Sequence, residues 1–146
     1  MLYNPGLGTA LLRVGAFLRY EGVLPPRPRE IAILAVAATY KSEYEWYQHA
    51  PEARRHGVGD EQLEAIRRRR PVTFHDDVDQ CAWELAHRFL AREDIVDEAY
   101  QRAVGLLGEA GLVELTALVG YYSILAYQMM VLRVPRPPDA QPVFAD

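Results

Sequence analysis

Ile31-Ala32-Ile33-Leu34-Ala35-Val36-Ala37-Ala38 has no polar position, and a helix that is apolar on every side must be covered on every side. The run predicts a helix at the centre of a bundle. Pro28 suits its first turn, where a missing N–H costs nothing, and the preceding Leu24-Pro25-Pro26-Arg27-Pro28 predicts an extended loop. Helical periodicity fills the flanking sequence, and no stretch alternates like a strand. A first helix is expected over Leu7 to Tyr20, with Leu11, Val14 and Leu18 on one stripe and Glu21-Gly22 ending it. A third starts at Ser42 and is bent or restarted by Pro51. A fourth covers Asp60 to Arg68, and a fifth covers Asp76 to Arg92 with Cys81, Leu85 and Phe89 turned inward. A sixth runs from a capping Asp97 to Leu107, broken at Gly108, and the last covers Leu112 to Leu132. The expected class is all-α, a compact bundle of about six to seven helices in one domain over 1–134. The proline-rich tail over 135–146 is expected to be extended and to lie over a neighbouring subunit.

With 146 residues, half of them hydrophobic, one such domain can bury its own core. The single cysteine, Cys81, can form no internal disulfide, and no signal-peptide pattern opens the sequence, which points to the cytoplasm. A net charge of −4 and a pI near 5.6 argue against nucleic acid as a partner. Arg67-Arg68-Arg69-Arg70 reads as cations completing a helix C-terminus. The last helix is long enough to span a bilayer, but Glu114 and its tyrosines favour a core helix that also feeds a subunit interface, with no membrane as partner.

Glu45 and His49 stand four apart on one helix, so they share a face and can form a hydrogen-bonded acid/base pair. Glu30, at the start of the apolar helix, would add a second carboxylate in low-dielectric surroundings. A structural account competes at each position. Ser42-Glu43-Tyr44-Glu45 fits a capping box that would fold Glu45 back on the backbone. Glu30 would complement a helix dipole in any case. The face Glu45, His49, Glu52, His56 also raises metal binding, but carboxylate-bridged helical sites use a spacing of three and several helices. No metal and no cofactor are expected.

Leu24 to Ala38, followed by Ser42 to His49 and Gly57-Val58-Gly59-Asp60-Glu61-Gln62, resembles the core repeat of the carboxymuconolactone decarboxylase/alkyl hydroperoxidase D-like superfamily. The likeness is strongest over about 24 to 65, and later helices, including Val113 to Tyr122, look like the rest of that domain. Relative to the peroxidase branch, the resemblance makes Glu30 and His49 the relay glutamate and histidine and puts Ser42 and Glu45 where its two cysteines stand. Cysteine-dependent peroxide chemistry is thereby excluded, since no second thiol exists to resolve a sulfenate. The decarboxylase branch, with Glu-x-x-x-His, fits better. The resemblance further implies a homo-oligomer, commonly a trimer or hexamer, with its site near subunit interfaces.

Two functions follow as expectations. One is a cofactor-free lyase or isomerase acting by proton transfer on a small carboxylated or lactone metabolite. There His49 is the acid/base, Glu45 its orienting partner and Glu30 the rest of the relay, with Tyr44 and Trp46 shaping the pocket. The alternative is a non-catalytic ligand-binding or structural oligomer. It requires Glu45 folded back on its backbone and no cavity at His49, whereas the first requires a pocket touching both groups.

Overall fold

The computed structural model describes residues 3–144, all of whose regular elements are helical. These are α1 (Pro5–Tyr20), α2 (Pro26–Tyr40), α3 (Glu43–Arg55), α4 (Asp60–Arg67), α5 (Asp77–Ala91) and α6 (Asp97–Val131). The all-α expectation holds. Residues 31–38 lie at the centre of α2, each buried, with α3, α4, α5 and α6 packed around them. Pro26 and Pro28 both sit in the first turn of α2, which starts two residues before the expected Pro28.

Local chemistry sets the ends. Asn4 caps α1 through Leu7 N–H, and Asp76 caps α5 by accepting from Val78 and Asp79. Cys81 lies in the core on α5, as the periodicity requires. Val14 is a correction: it is exposed, and the inward face of α1 is Gly8, Gly15 and Leu18. Helix α3 continues through Pro51 to Arg55. Pro51 and Tyr47, whose carbonyl the proline leaves unpaired, both face solvent, so water can satisfy the lost bond.

The expected sixth and last helices are two helical segments of α6 that meet, as expected, at a kink at Gly108, where φ is 69° and ψ is 166°. That conformation is open to glycine at little cost. Val96, not Asp97, occupies the cap position, with Asp97 in the first turn. Glu114 on α6 ties down the α1–α2 loop by accepting from Val23 N–H and Leu24 N–H at 2.8 and 3.0 Å.

The proline-rich tail, expected to lie over a neighbouring subunit, rests on its own chain as far as Phe144. There Glu43 accepts from Val143 N–H at 2.9 Å and Phe144 N–H at 3.0 Å. Arg67 Nη1 donates to the Val143 carbonyl at 2.7 Å. A carboxylate at the start of α3 meets two free N–H groups there, which a neighbouring subunit need not supply.

By length and composition α6 could cross a membrane, and 28% of its most apolar window is buried. Ile124, Tyr127, Met130 and Val131 on α6 and Leu12 and Phe17 on α1 remain exposed.

Candidate functional site

Glu30, Glu45 and His49 are all buried, with 3%, 3% and 6% of their surface exposed. Their pairing differs from the expected one. His49 makes no hydrogen bond to Glu45 and bonds across to α2, its Nδ1 lying 2.7 Å from Glu30 Oε2. An ionised carboxylate can only accept, so with Glu30 ionised the ring donates from Nδ1, and in the neutral imidazole Nε2 is then the nitrogen with a lone pair to offer. Glu30 is thus the group that orients the imidazole. Arg29 approaches the other Glu30 oxygen at 3.6 Å while its Nη1 donates to the Arg19 carbonyl at 2.7 Å, linking the end of α1 to the relay.

Glu45 has no such partner. Neither carboxyl oxygen completes a hydrogen bond among the described residues, and Ser42 makes no side-chain cap. The capping box is therefore absent, because the Glu45 side chain turns inward and not back toward its own backbone. Burial pushes its carboxyl up to about 8, with Ser42 pulling the other way without reaching hydrogen-bond geometry. Near neutral pH Glu45 carries a proton.

Glu45 and His49 open on the same cavity of about 410 Å³, walled also by Gly15, Arg19, Tyr44 and Tyr122. That volume suits a small metabolite. Tyr122 meets the His49 ring edge-on at 5.1 Å and Tyr121 meets Tyr122 at 5.3 Å. Burial raises both hydroxyls, and the nearby Arg19 cation opposes it. Both phenols stay neutral and able to donate. A Cβ at Gly15 would collide with the Tyr121 hydroxyl, so only glycine lets α1 approach α6 this closely.

Tyr44 lines the cavity as expected; Trp46 does not. Trp46 packs edge-on against Phe144 at 5.4 Å, because adjacent positions on a helix diverge and its side faces the docked tail. Tyr127 lies elsewhere against Tyr40, their hydroxyls 3.1 Å apart. Sequence reasoning missed Arg19. It stands four residues after Gly15, so the close approach at Gly15 and the charge at Arg19 share one face of α1.

Among the described residues no three His, Cys, Asp or Glu side chains converge in a metal-holding group. Glu52 pairs with Arg55 at 2.6 Å, and exposed His56 ends α3. The arginine tetrad begins as the sequence suggests, with Arg67 and Arg68 both paired to Glu64 at the end of α4.

A buried histidine held by a carboxylate, beside a protonated carboxyl at a cavity between helices, is an acid/base arrangement of an all-α bundle. Residues 5–86 match the carboxymuconolactone decarboxylase family, and the chain belongs to it. No curated protein matches the chain. A crystal structure of a protein of unknown function from Agrobacterium tumefaciens, described as a candidate antioxidant defence protein AhpD, superposes with a TM-score of 0.79. The identity is 14%, with 94% of each chain covered. That likeness shows a shared alkyl hydroperoxidase D-like fold.

The raised Glu45 carboxyl makes stability depend on pH. Its folded value, about 8, lies above the ordinary 4.5, so its contribution is fully present below 4.5 and is lost as pH rises through 8. Glu45→Gln, a permanent mimic of the protonated form, should remove that dependence. Urea unfolding from pH 5 to 9 checks this: wild type should lose up to a few kcal/mol more than Glu45→Gln over that range. Parallel curves would contradict a buried, protonated Glu45.

Proposed function

We propose that this member of the carboxymuconolactone decarboxylase family is a cofactor-free lyase or isomerase that moves a proton on a small carboxylated or lactone metabolite. The observation that carries the reading is the division of labour at one cavity. His49 has Nδ1 committed to Glu30 and Nε2 available, while Glu45 is protonated and unpartnered. In this mechanism His49 Nε2 removes a proton from the carbon next to a lactone or carboxylate carbonyl, and the electron pair moves into the carbonyl oxygen. Glu45 donates to that developing enolate, and Glu30 stabilises the imidazolium. Return of the proton to a different carbon completes an isomerisation. In a decarboxylation, loss of CO₂ generates the enolate, and reprotonation on carbon completes the reaction.

Thiol chemistry has no support at this site. Cys81 is buried on α5 and forms no part of the cavity lining, and burial raises its thiol. A purely structural role for Glu45 fits poorly with an unpaired buried carboxyl, since such groups cost free energy unless something uses them.

Deuterium uptake into a β,γ-unsaturated γ-lactone in D₂O, followed by proton NMR, tests the reaction class. Wild type should exchange the proton next to the carbonyl, His49→Ala should lose about 100-fold or more, and Glu45→Gln should be strongly slowed. Exchange by His49→Ala at the wild-type rate, or none by wild type, would remove the proposal.

The reading includes a homo-oligomer, with the cytoplasm as its location. The exposed apolar side chains of α1 and α6, among them Phe17, Ile124 and Met130, form a face suited to a second copy. Light scattering at micromolar concentration should report a multimer, a trimer or hexamer by family resemblance; a clean 16.6 kDa monomer would contradict this.

A further inference from the structure

The cavity beside His49 contains a cation that proton transfer leaves without a role. Arg19, next to the last residue of α1, lines it, and among the described residues its guanidinium makes no ion pair and donates no hydrogen bond. The other ordinarily charged groups on the lining are already accounted for. Glu52 is paired with Arg55, His49 is bonded to Glu30, and Glu45 holds a proton near neutral pH.

The backbone of Arg19 is anchored, and its side chain lies beside one aromatic ring. Its carbonyl is fixed by Arg29, and its guanidinium carbon lies over the Tyr20 ring, 5.1 Å from the centroid. Stacking on an aromatic face leaves the in-plane N–H fork open. The charge reaches the inner wall, since Arg19 is the leading influence opposing the upward push on both Tyr121 and Tyr122. A guanidinium fork without an acceptor, at the edge of a small cavity partly walled by Leu12, Ala16 and Leu125, matches a planar carboxylate on a short carbon frame.

We propose that Arg19 is the anion-recognising residue of this cavity, binding the carboxylate of a small organic acid so that its carbon frame lies against His49 and Glu45. Binding at Arg19 would orient the ligand and select acids over their neutral analogues. The inference deepens the proton-transfer reading, which supplies the reason for orienting the frame toward His49, but anion selection is measurable without turnover.

Calorimetric titration of the whole chain with hexa-2,4-dienoate and with its amide tests it at pH 7. Wild type should bind the carboxylate about tenfold or more tightly than the amide. Arg19→Gln should erase that preference by weakening the carboxylate alone. Arg19→Lys should retain part of it, because a point charge replaces the fork. Arg19 is exposed and its side chain bonds to nothing in the fold, so these variants should remain folded, which circular dichroism checks. His49→Ala should still prefer the carboxylate. Equal affinity for carboxylate and amide, no effect of Arg19→Gln, or no carboxylate binding by wild type at millimolar concentration would each overturn the proposal. A preserved preference with no deuterium exchange would defeat the proton-transfer reading and leave Arg19 as an anion site.

Discussion

The hydrogen bond between Glu30 and His49 is the contact on which the rest of the site depends. It joins α2 to α3 through two side chains that are almost fully buried, and a buried carboxylate left without a partner would cost about 1–3 kcal/mol or more. The bond is possible because α2 is apolar from Ile31 to Ala38 and is covered by its neighbours, which brings the middle of α3 against Glu30. It also decides the chemistry. With Nδ1 committed, the other imidazole nitrogen is the one left for a ligand.

Glu45 supplies the contrast. Two carboxyls at the same low exposure meet opposite surroundings, one facing an imidazole and an arginine, the other facing neither a cation nor a donor that completes a bond. Divergent environments of this kind set acid and base apart within one pocket. Helix α1 then closes the arrangement. Gly15 lets it approach Tyr121, Glu114 anchors the loop that follows, and Arg29 holds the Arg19 carbonyl.

Much of the fold was legible in the sequence because it rests on patterns that sequence carries directly. The run 31–38 has one physical solution, and the spacing through Cys81 and Leu85 on α5 reads as a buried stripe. The site was legible in its members and not in its pairing. Spacing along one helix places Glu45 near His49, but the choice between Glu45 and Glu30 as partner is made by how α2 and α3 pack, a long-range fact. Capping-box spacing at Ser42 and Glu45 was likewise overridden by tertiary structure. Trp46 was misread because the tail returns to its own chain, and Arg19 was missed because a lone arginine near a helix end has no signature until α6 lies beside α1.

The most direct test of the central claim is the tautomer of His49, read from the imidazole nitrogens of ¹⁵N-histidine-labelled protein by NMR. A histidine whose Nδ1 donates to Glu30 should show, in its neutral form, a protonated Nδ1 and an unprotonated Nε2, and Glu30→Gln should weaken that preference. A neutral His49 carrying its proton on Nε2 in the wild type would contradict the account, since the nitrogen assigned as base would then have no lone pair to offer.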